Sequence, residues 1–490
     1  RRRAGASMTA ARARPDAVGR TLAALSPAFG ALLAPPAAAA ALEGVWLLAA
    51  ALAGPLAAFA ALWVASRRAA PPSDLRLSEA LIVAAAAFAL AALAAAPAFR
   101  ALGMSPAAAL FEAVSGITTT GLSLARDPDA WPVSAHFLRA WLQWCGGLAF
   151  LASALALLIG PGALARRLGA EAGLGGTEAL PASTRTRARA LLKLYAALTV
   201  LFAAAAAAVA SDPIDGVLLA LSGISTGGFA PDSTSLIDES RLAQAVVMSS
   251  CLVGALSFPL LISVRRTGLA AIPRDPALRL WLGLTLLTFV ALVGFEALRS
   301  GAADPARIAH SAVTAVSAIT TAGYASESMA ALPAASLAAL LLAMVVGGDV
   351  GSTAGGLKAT RAVVALAALR LTAAHAANPP GAVTHLRALG QRIRGGELAA
   401  LAGLAAVYAL TAGLLWIGLL ALGAEALPAL FDVVSALSTV GLSTGVLGPD
   451  LPDWMLLALS LAMLMGRLEF FAVLALFNPR MWTWPKGTAR

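Results

Sequence analysis

The sequence predicts an all-α polytopic membrane protein in which an N-terminal helix hairpin precedes four related repeats. Of its 490 residues, 60% are hydrophobic and only 12% are charged, and the mean hydropathy is +0.83, whereas soluble domains carry about 25% charged residues. Apolar stretches long enough for the roughly 20-residue helix that crosses a bilayer recur from residue 21 to residue 477. One motif also recurs four times. These three observations leave no room for a soluble domain beside the spans.

Charge and cysteine usage exclude several other classes of protein. The net charge is +10, but in a membrane chain Lys and Arg usually mark cytoplasmic loops, and here they are spread over several loops. Nucleic acid is therefore not an expected partner. Cys145 and Cys251 both lie in apolar stretches, which excludes a disulfide framework and a zinc site of paired cysteines.

The recurring motif is S-[GA]-[IL]-[ST]-T-x-G-[LFY]. It reads SGITTTGLS, SGISTGGFA, SAITTAGYA and SALSTVGLS, starting at Ser115, Ser222, Ser317 and Ser435. One glycine of each copy falls in the same register, at intervals of 107, 95 and 118 residues: Gly121, Gly228, Gly323 and Gly441. Repetition at such intervals indicates an internally duplicated fold.

A short apolar segment precedes each motif. These segments open with Ser, Asp or Pro, which are helix-start signals, and they begin at Ser105, Asp212, Asp304 and Leu427. Each has room for only about ten helical residues, too few to cross a bilayer. We therefore expect four re-entrant pore helices, and the four membrane–pore–membrane repeats are expected to surround one pseudo-fourfold pore.

Apolar spans flank each motif, which gives ten predicted spans with the N-terminal hairpin. They fall at about 21–40, 43–65, 78–99, 134–160, 187–210, 242–263, 279–298, 334–357, 398–422 and 453–477. The predicted segments are an N-terminal basic segment 1–20, a transmembrane hairpin 21–66, repeat one 67–165 (pore loop 105–123), repeat two 166–265 (pore loop 212–230), repeat three 266–375 (pore loop 304–325), repeat four 376–480 (pore loop 427–443) and a cytoplasmic tail 481–490.

Loop charges orient these segments. Arginines cluster in the links between repeats, so we expect the links and both termini on the cytoplasmic side. Acidic residues follow the motifs, among them Asp127, Asp129, Asp232 and Asp238. The motifs should then open outward beneath a negative rim that concentrates cations.

The composition of the motif favours an ion path. Non-helical backbone at membrane depth persists only when it is buried in protein or lines a watery cavity. Glycine permits unusual dihedrals, and backbone carbonyls turned toward an axis can replace the hydration shell of an ion. No motif residue is charged, which favours a small monovalent cation over a divalent one. The alternative is four small-residue motifs for helix packing.

The repeats resemble the Trk/Ktr/HKT superfamily of potassium transporters, and most of all its bacterial TrkH and KtrB-type pore subunits. The resemblance covers about residues 20–480. It implies a subunit that moves K⁺ across the cytoplasmic (inner) membrane of a bacterium, with K⁺ as the transported ion and no covalently bound cofactor. The plant sodium-selective branch has serine at the first filter glycine, so Gly121 favours potassium; a Na⁺-permeable member of the same fold remains an alternative.

The same resemblance implies a four-part selectivity filter that binds K⁺. Its residues would be Thr118, Thr119, Thr120, Gly121, Ser225, Thr226, Gly227, Gly228, Thr320, Thr321, Ala322, Gly323, Ser438, Thr439, Val440 and Gly441.

A glycine-rich stretch, VVGGDVGSTAGGLKATR from residue 345, interrupts the second span of repeat three. Each glycine inside a helix costs about 1 kcal/mol relative to alanine, so the span should break there. The stretch resembles the intramembrane gate loop of the family, here 345–358. Close helix packing through its glycines is the alternative. Asp349 departs from the family pattern, in which this position is commonly small or uncharged, and could contact Lys358 or Arg467.

Arg467 and Glu469 lie inside the last apolar span, where charges usually indicate function. In the family the matching arginine projects toward the pore beside the gate loop; a purely structural pair of Arg467 with Glu469 or another acid is the alternative. The gate residues implied are Gly347, Gly348, Asp349, Gly351, Ser352, Thr353, Gly355, Gly356, Lys358 and Arg467.

The resemblance further implies membrane lipid as surroundings, a homodimer, and a cytoplasmic nucleotide-binding regulatory subunit of the TrkA/KtrA type.

Two other functions are compatible with parts of the sequence. Repeats and broken helices also occur in secondary transporters of other solutes. G-x-S-x-G occurs at 223–227 and 441–445, but a hydrolase elbow needs a strand-to-helix turn and positioned acid and histidine, so we do not expect an enzyme.

Overall fold

A computed structural model describes residues 12–68, 72, 75–159, 184–268, 275–301, 304–377, 387–389, 391–393 and 395–482. Over these residues the regular structure is helical except for β1 (Arg387–Ala388) and β2 (Gln391–Arg392), which pair antiparallel. By length and apolar character, six of the described helices can cross a membrane, or seven if one bent pair counts as a single span.

The N-terminal hairpin consists of α1 (Pro15–Ala24), α2 (Ser26–Glu43) and α3 (Trp46–Ser66). Gly44, at φ +81°, ends α2 in a left-handed conformation, as glycine commonly does after a helix. Helix α1 begins at Pro15, inside the segment 1–20 that the sequence marks as basic. Proline in the first turn followed by Asp16 is a helix-start signal that the basic composition obscured. Residues 1–11 lie outside the described part.

In each repeat a helix of 12 to 16 residues precedes the motif. Repeat one contains α4 (Leu77–Ala101), α5 (Pro106–Ile117) and α6 (Val133–Ile159). Repeat two contains α7 (Thr184–Ala207), α8 (Pro213–Ile224), α9 (Arg241–Ala255) and α10 (Phe258–Thr267). Repeat three contains α11 (Pro276–Ser300), α12 (Pro305–Thr320), α13 (Ala334–Val346) and α14 (Ala359–Ala377). Repeat four contains α15 (Gly395–Ala421), α16 (Ala426–Leu437), α17 (Asp453–Arg467) and α18 (Phe471–Phe477).

The short helices α5, α8, α12 and α16 are the pore helices. Capping side chains start three of them: Ser105 accepts a hydrogen bond from Ala108 N at 3.2 Å, and Asp212 and Asp304 do the same for the amide two residues on. Helix α16 begins at Ala426, one residue before the predicted start, without a side-chain cap. A 12-residue helix such as α5 is about 18 Å long at ~1.5 Å per residue, well short of the ~30 Å hydrocarbon layer.

Glycines let three second spans cross closely over the ends of their own pore helices. A Cβ on Gly146, Gly254 or Gly466 would lie 2.0, 2.4 or 1.9 Å from the carbonyl oxygen of Ile117, Ile224 or Leu437, respectively. No side chain fits at such distances. The motif that follows each of these pore helices is therefore held against a membrane-spanning helix.

Second spans two and four are not continuous helices, contrary to the spans predicted at 242–263 and 453–477. Helices α9 and α10 meet at 92°. Leu256 and Ser257 between them are extended, and Pro259 lies in the first turn of α10, where its missing N–H cannot continue the hydrogen-bond ladder of α9. Helix α17 ends at Arg467, and Glu469 and Phe470 take φ +59° and +60° before α18 begins. Helix α13 also stops, at Val346, where the glycine-rich stretch predicts a break.

Apolar clusters join the repeats in a closed cycle. One cluster each links repeats one and two, two and three, three and four, and four and one. Representative members, in that order, are Leu151 with Tyr195, Met248 with Tyr324, Ile319 with Phe431, and Ile117 with Met463. This packing places the four pore helices and their motifs around one axis.

Candidate functional site

The four motifs adopt the same backbone conformation. The threonine at the fifth position of each motif takes a left-handed φ of 55°, 52°, 55° or 51°, at Thr119, Thr226, Thr321 and Thr439. Two residues later each glycine also has positive φ, between 75° and 101°. A left-handed β-branched residue is rare and costs about 1–3 kcal/mol. Because all four copies take it, the surrounding packing must enforce this conformation.

The four glycines close a ring. A Cβ on Gly121 would lie 2.1 Å from the carbonyl oxygen of Gly227 in the next repeat. The corresponding distances are 2.1, 2.2 and 2.3 Å from Gly228 to Ala322 O, Gly323 to Val440 O, and Gly441 to Thr120 O. Each glycine thus touches the carbonyl that precedes the next glycine, and the fourth returns to the first. We call segments 118–121, 225–228, 320–323 and 438–441 the glycine ring.

Most hydroxyls of the glycine ring bond to the protein itself. Thr118 Oγ1 and Thr120 Oγ1 lie 2.7 Å apart, and Thr320 Oγ1 donates to Val316 O at 2.7 Å. Two hydroxyls differ: Thr119 Oγ1 and Thr439 Oγ1 are buried and have no hydrogen-bond partner among the described residues. Buried polar atoms without a partner are uncommon, and an ion or water absent from the coordinates is one explanation.

Two side chains that the sequence reasoning did not select hold ring segments from behind. Gln143 Nε2 donates to Gly227 O at 2.5 Å, and Gln143 Oε1 accepts from Phe229 N at 3.1 Å. Tyr408 Oη and Ser438 Oγ lie 2.7 Å apart. Gln143 was detectable as an uncharged polar residue inside an apolar span. Tyr408 gives no comparable signal, because tyrosine is common in such spans.

The glycine-rich loop 347–358 lies against one end of the ring. Gly355 N donates to Thr321 Oγ1 at 2.6 Å, and Gly356 N donates to Ser438 O at 3.1 Å. Thr353 Oγ1 donates to Gly254 O at 2.8 Å and lies 3.4 Å from Thr226 Oγ1. The loop therefore contacts ring segments of repeats two, three and four.

Two cationic side chains of the predicted gate are fully buried beside this loop. Arg467 Nη1 donates to Thr353 O at 2.6 Å, and its guanidinium lies 4.2 Å from the Phe150 ring centroid. Lys358 Nζ donates to Ala354 O and lies 5.1 Å from the same ring. Both side chains thus bond to loop carbonyls and lie over an aromatic face, an arrangement favourable for a cation.

Acidic neighbours of the loop are engaged elsewhere. Glu469 pairs with Arg361, so the structural pair of Arg467 with Glu469 does not form; among the described residues, no carboxylate lies within ion-pair distance of Arg467. Asp349 accepts a hydrogen bond from Thr360 Oγ1 rather than contacting Lys358 or Arg467. Of its buried nitrogens, Arg467 Nε and Nη2 have no hydrogen-bond partner in the described chain.

Acidic loops lie on the side of the ring away from this loop. Ser233 N and Oγ donate to Asp129 at 2.6 and 2.7 Å, and these bonds hold the pKa of Asp129 below its ordinary value. Burial and then the charges of Asp129, Glu239 and Asp238 raise the pKa of Asp232. Asp450 pairs with Arg126, so this part of the negative rim is neutralised.

Comparison with known proteins identifies the family. The model of a family described as TrkH, cation transport protein, matches residues 56–484. The chain belongs to the TrkH family. The potassium uptake protein TrkH of Halomonas elongata is 32% identical over 409 residues, which cover 78% of this chain and 80% of that protein. The TrkH of Escherichia coli K12 is 31% identical over 392 residues, covering 76% and 79%.

A solved structure supports the same family assignment. The crystal structure of the potassium transporter TrkH from Vibrio parahaemolyticus superposes with a TM-score of 0.81 at 25% identity, covering 96% of this chain and 99% of that one. The predicted fold class and the resemblance to TrkH are confirmed. As a TrkH-family member the chain is a multi-pass membrane transporter of cations and not an enzyme, so its two G-x-S-x-G matches belong to the repeated motif.

Proposed function

We propose that this chain is the pore-forming subunit of a potassium uptake channel or transporter, and that the glycine ring is its selectivity filter. The cyclic contact of Gly121, Gly228, Gly323 and Gly441 with the carbonyls of the next repeat carries the proposal. Four segments so arranged can present backbone oxygens to one ion. The relatives in Halomonas elongata and Escherichia coli are named potassium uptake proteins, which supports K⁺ as the ion.

The ligands available in the ring suit a monovalent ion that must also leave. They are carbonyl and hydroxyl oxygens without formal charge, and the unpartnered hydroxyls of Thr119 and Thr439 are available at the end facing the loop. Multivalent sites usually recruit carboxylates. K⁺ would shed water against the carbonyls of the ring and pass the threonine hydroxyls next.

Loop 347–358 and Arg467 would form the gate. Gly355 and Gly356 bond to the ring segments of repeats three and four, and Arg467 bonds to Thr353 within the loop. An ion leaving the ring toward the loop meets this backbone and two buried cations, Arg467 and Lys358, which repel it. Conduction then requires the loop and Arg467 to move aside together.

The family and the contact between the two ends of the described chain support a proposal for the membrane, the orientation and the partners of this protein. Ala13 N donates to Met481 O at 2.7 Å, so the first and last described residues lie together. With the arginine-rich links as guide, both termini are cytoplasmic and the membrane is the inner membrane of a bacterium. A homodimer and a cytoplasmic nucleotide-binding subunit of the TrkA/KtrA type complete the proposed assembly.

Flux into liposomes tests this function. Purified protein in vesicles with a K⁺-loaded lumen should accumulate external Rb⁺, whereas protein-free vesicles should not. The reversal potential under opposed K⁺ and Na⁺ gradients then separates a potassium-selective protein from a Na⁺-permeable one. Folded protein that gives no Rb⁺ uptake above the protein-free level would end the proposal.

A further inference from the structure

Two pore helices carry a fully buried carboxylate at the same position. Glu112 and Asp432 each lie nine residues before the ring glycine of their repeat, and both side chains are 0% exposed. A carboxylate at membrane depth is expensive. Repeats two and three place Leu219 and Thr314 at this position, so packing of the pore helix does not by itself require an acid there.

All hydrogen bonds to Asp432 come from the strand that leaves its own ring segment. Oδ1 accepts from Thr444 N at 2.7 Å and Thr444 Oγ1 at 2.9 Å, and Oδ2 accepts from Ser443 Oγ at 2.8 Å and Leu447 N at 3.2 Å. Four donors converge on two oxygens that only accept. The side chain thus fixes the chain two, three and six residues beyond Gly441.

Glu112 makes the equivalent contacts in repeat one. It accepts from Ser123 Oγ at 2.9 Å and Leu124 N at 3.0 Å, which are again two and three residues beyond the ring glycine. Arg139 Nε lies 3.3 Å from Glu112 Oε1, and Arg139 Nη1 donates to Ala230 O at 3.4 Å. Through Arg139, this carboxylate is also connected to the strand that leaves the ring in repeat two.

We propose that Glu112 and Asp432 are positioning residues that set the ion preference of the glycine ring by fixing the outgoing strands of repeats one and four. The inference rests on the proposed function of the ring. Preference between alkali ions depends on how firmly the carbonyls hold their positions, because a looser ring can close on a smaller ion. Charge-assisted hydrogen bonds to the backbone are the stronger kind and suit this task.

Asp432→Asn is the principal test, since no cationic side chain of the described residues forms an ion pair with Asp432 and the change preserves shape. In the variant, the amide NH₂ of the asparagine would face N–H and O–H donors that now donate to a carboxylate oxygen of Asp432. The ratio of Rb⁺ to Na⁺ uptake in liposomes should fall about tenfold, the lower end of the effect of removing a hydrogen bond to a charged group. Thr314→Val is the matched control: it alters the same position in repeat three, where the hydroxyl has no hydrogen-bond partner among the residues that the structure describes, and should leave the ratio unchanged.

Milder variants keep the test decisive if Asp432→Asn does not fold. Ser443→Ala and Ser123→Ala each remove one donor and should lower the ratio in the same direction by a smaller factor. The inference is overturned if the folded variants lose Rb⁺ and Na⁺ uptake equally or keep the unmodified ratio. Absence of Rb⁺ uptake by the unmodified protein would instead reject the proposed function, so the two failures are distinguishable.

Discussion

At the residue scale, the ring glycines leave no space for a side chain. Gly228 combines φ +80° with a Cβ position only 2.1 Å from Ala322 O. Gly228→Ala should therefore displace the neighbouring carbonyl and reduce Rb⁺ uptake at least about tenfold, because the proposed ion coordination depends on that carbonyl. Uptake into liposomes measures the loss.

The control for this substitution is Gly283→Ala. Gly283 lies in helix α11, where a Cβ would meet no heavy atom within 4 Å, and alanine is the better helix former. Full uptake by the Gly283 variant together with a loss in the Gly228 variant assigns the effect to the ring. Normal uptake by Gly228→Ala would contradict the role given to the ring glycines.

The residues of the ring were predictable because their pattern occurs four times. Gly121 and its three counterparts stand in one register in the sequence, and the structure brings them into contact. The supporting residues were not predictable in this way. A buried acid stands at the position of Glu112 and Asp432 in only two of the four repeats, and Gln143 is found in repeat one alone. No repeated pattern therefore selects these residues.

At the element scale, Arg467 connects helix α17 to loop 347–358, the proposed gate, through Thr353 O. Arg467→Ala removes that bond and a positive charge from the proposed ion path, so Rb⁺ uptake should rise a few-fold because the repulsion of the ion by that charge is lost. The thermal unfolding midpoint of the variant must be measured beside the flux. An unchanged or slower flux in folded protein argues against Arg467 as a block.

The ion pair Arg361–Glu469 joins the start of α14 to the break between α17 and α18. Both side chains are largely buried, with 12% and 32% exposed, and breaking such a pair leaves an uncompensated charge. Arg361→Gln and Glu469→Gln should each lower the unfolding midpoint, with a coupling of about 1–3 kcal/mol in the double-mutant cycle. Strictly additive effects would show that the pair contributes nothing.

Helix breaks were predictable only where the local sequence forces them. Five glycines in the sequence predict that the helix ends after Val346. The break after Arg467 has no comparable run of glycines, and Glu469 and Phe470 are held at positive φ by contacts with distant residues: the pair with Arg361 and the packing of Phe470 against Tyr408. Tertiary contacts of this kind override local preference and leave no signal in the span itself.

At the scale of the whole molecule, acidic loops surround the proposed entrance. A negative rim concentrates cations. At 0.1 M ionic strength, salt screens this attraction at distances greater than about 10 Å. Because the pKa of Asp232 is raised, this side chain loses its charge at a higher pH than an ordinary aspartate as the pH falls. Uptake from dilute Rb⁺ should therefore decline over that range in low salt.

Asp232→Asn provides the comparison. It should lower uptake from dilute Rb⁺ at neutral pH and flatten the decline at lower pH, while saturating Rb⁺ or high salt should remove the difference from the unmodified protein. An equal deficit at every salt concentration would point to damage of the ring rather than to the rim.

The closed cycle of four ring segments is written into one chain, and its members are not identical: Thr120, Gly227, Ala322 and Val440 precede the four glycines. In an assembly of four equal subunits, every substitution is copied into all quadrants at once. Here a single codon alters one quadrant and leaves three intact. The contribution of each ring segment can thus be measured separately, and a mutation can change one segment without changing the other three.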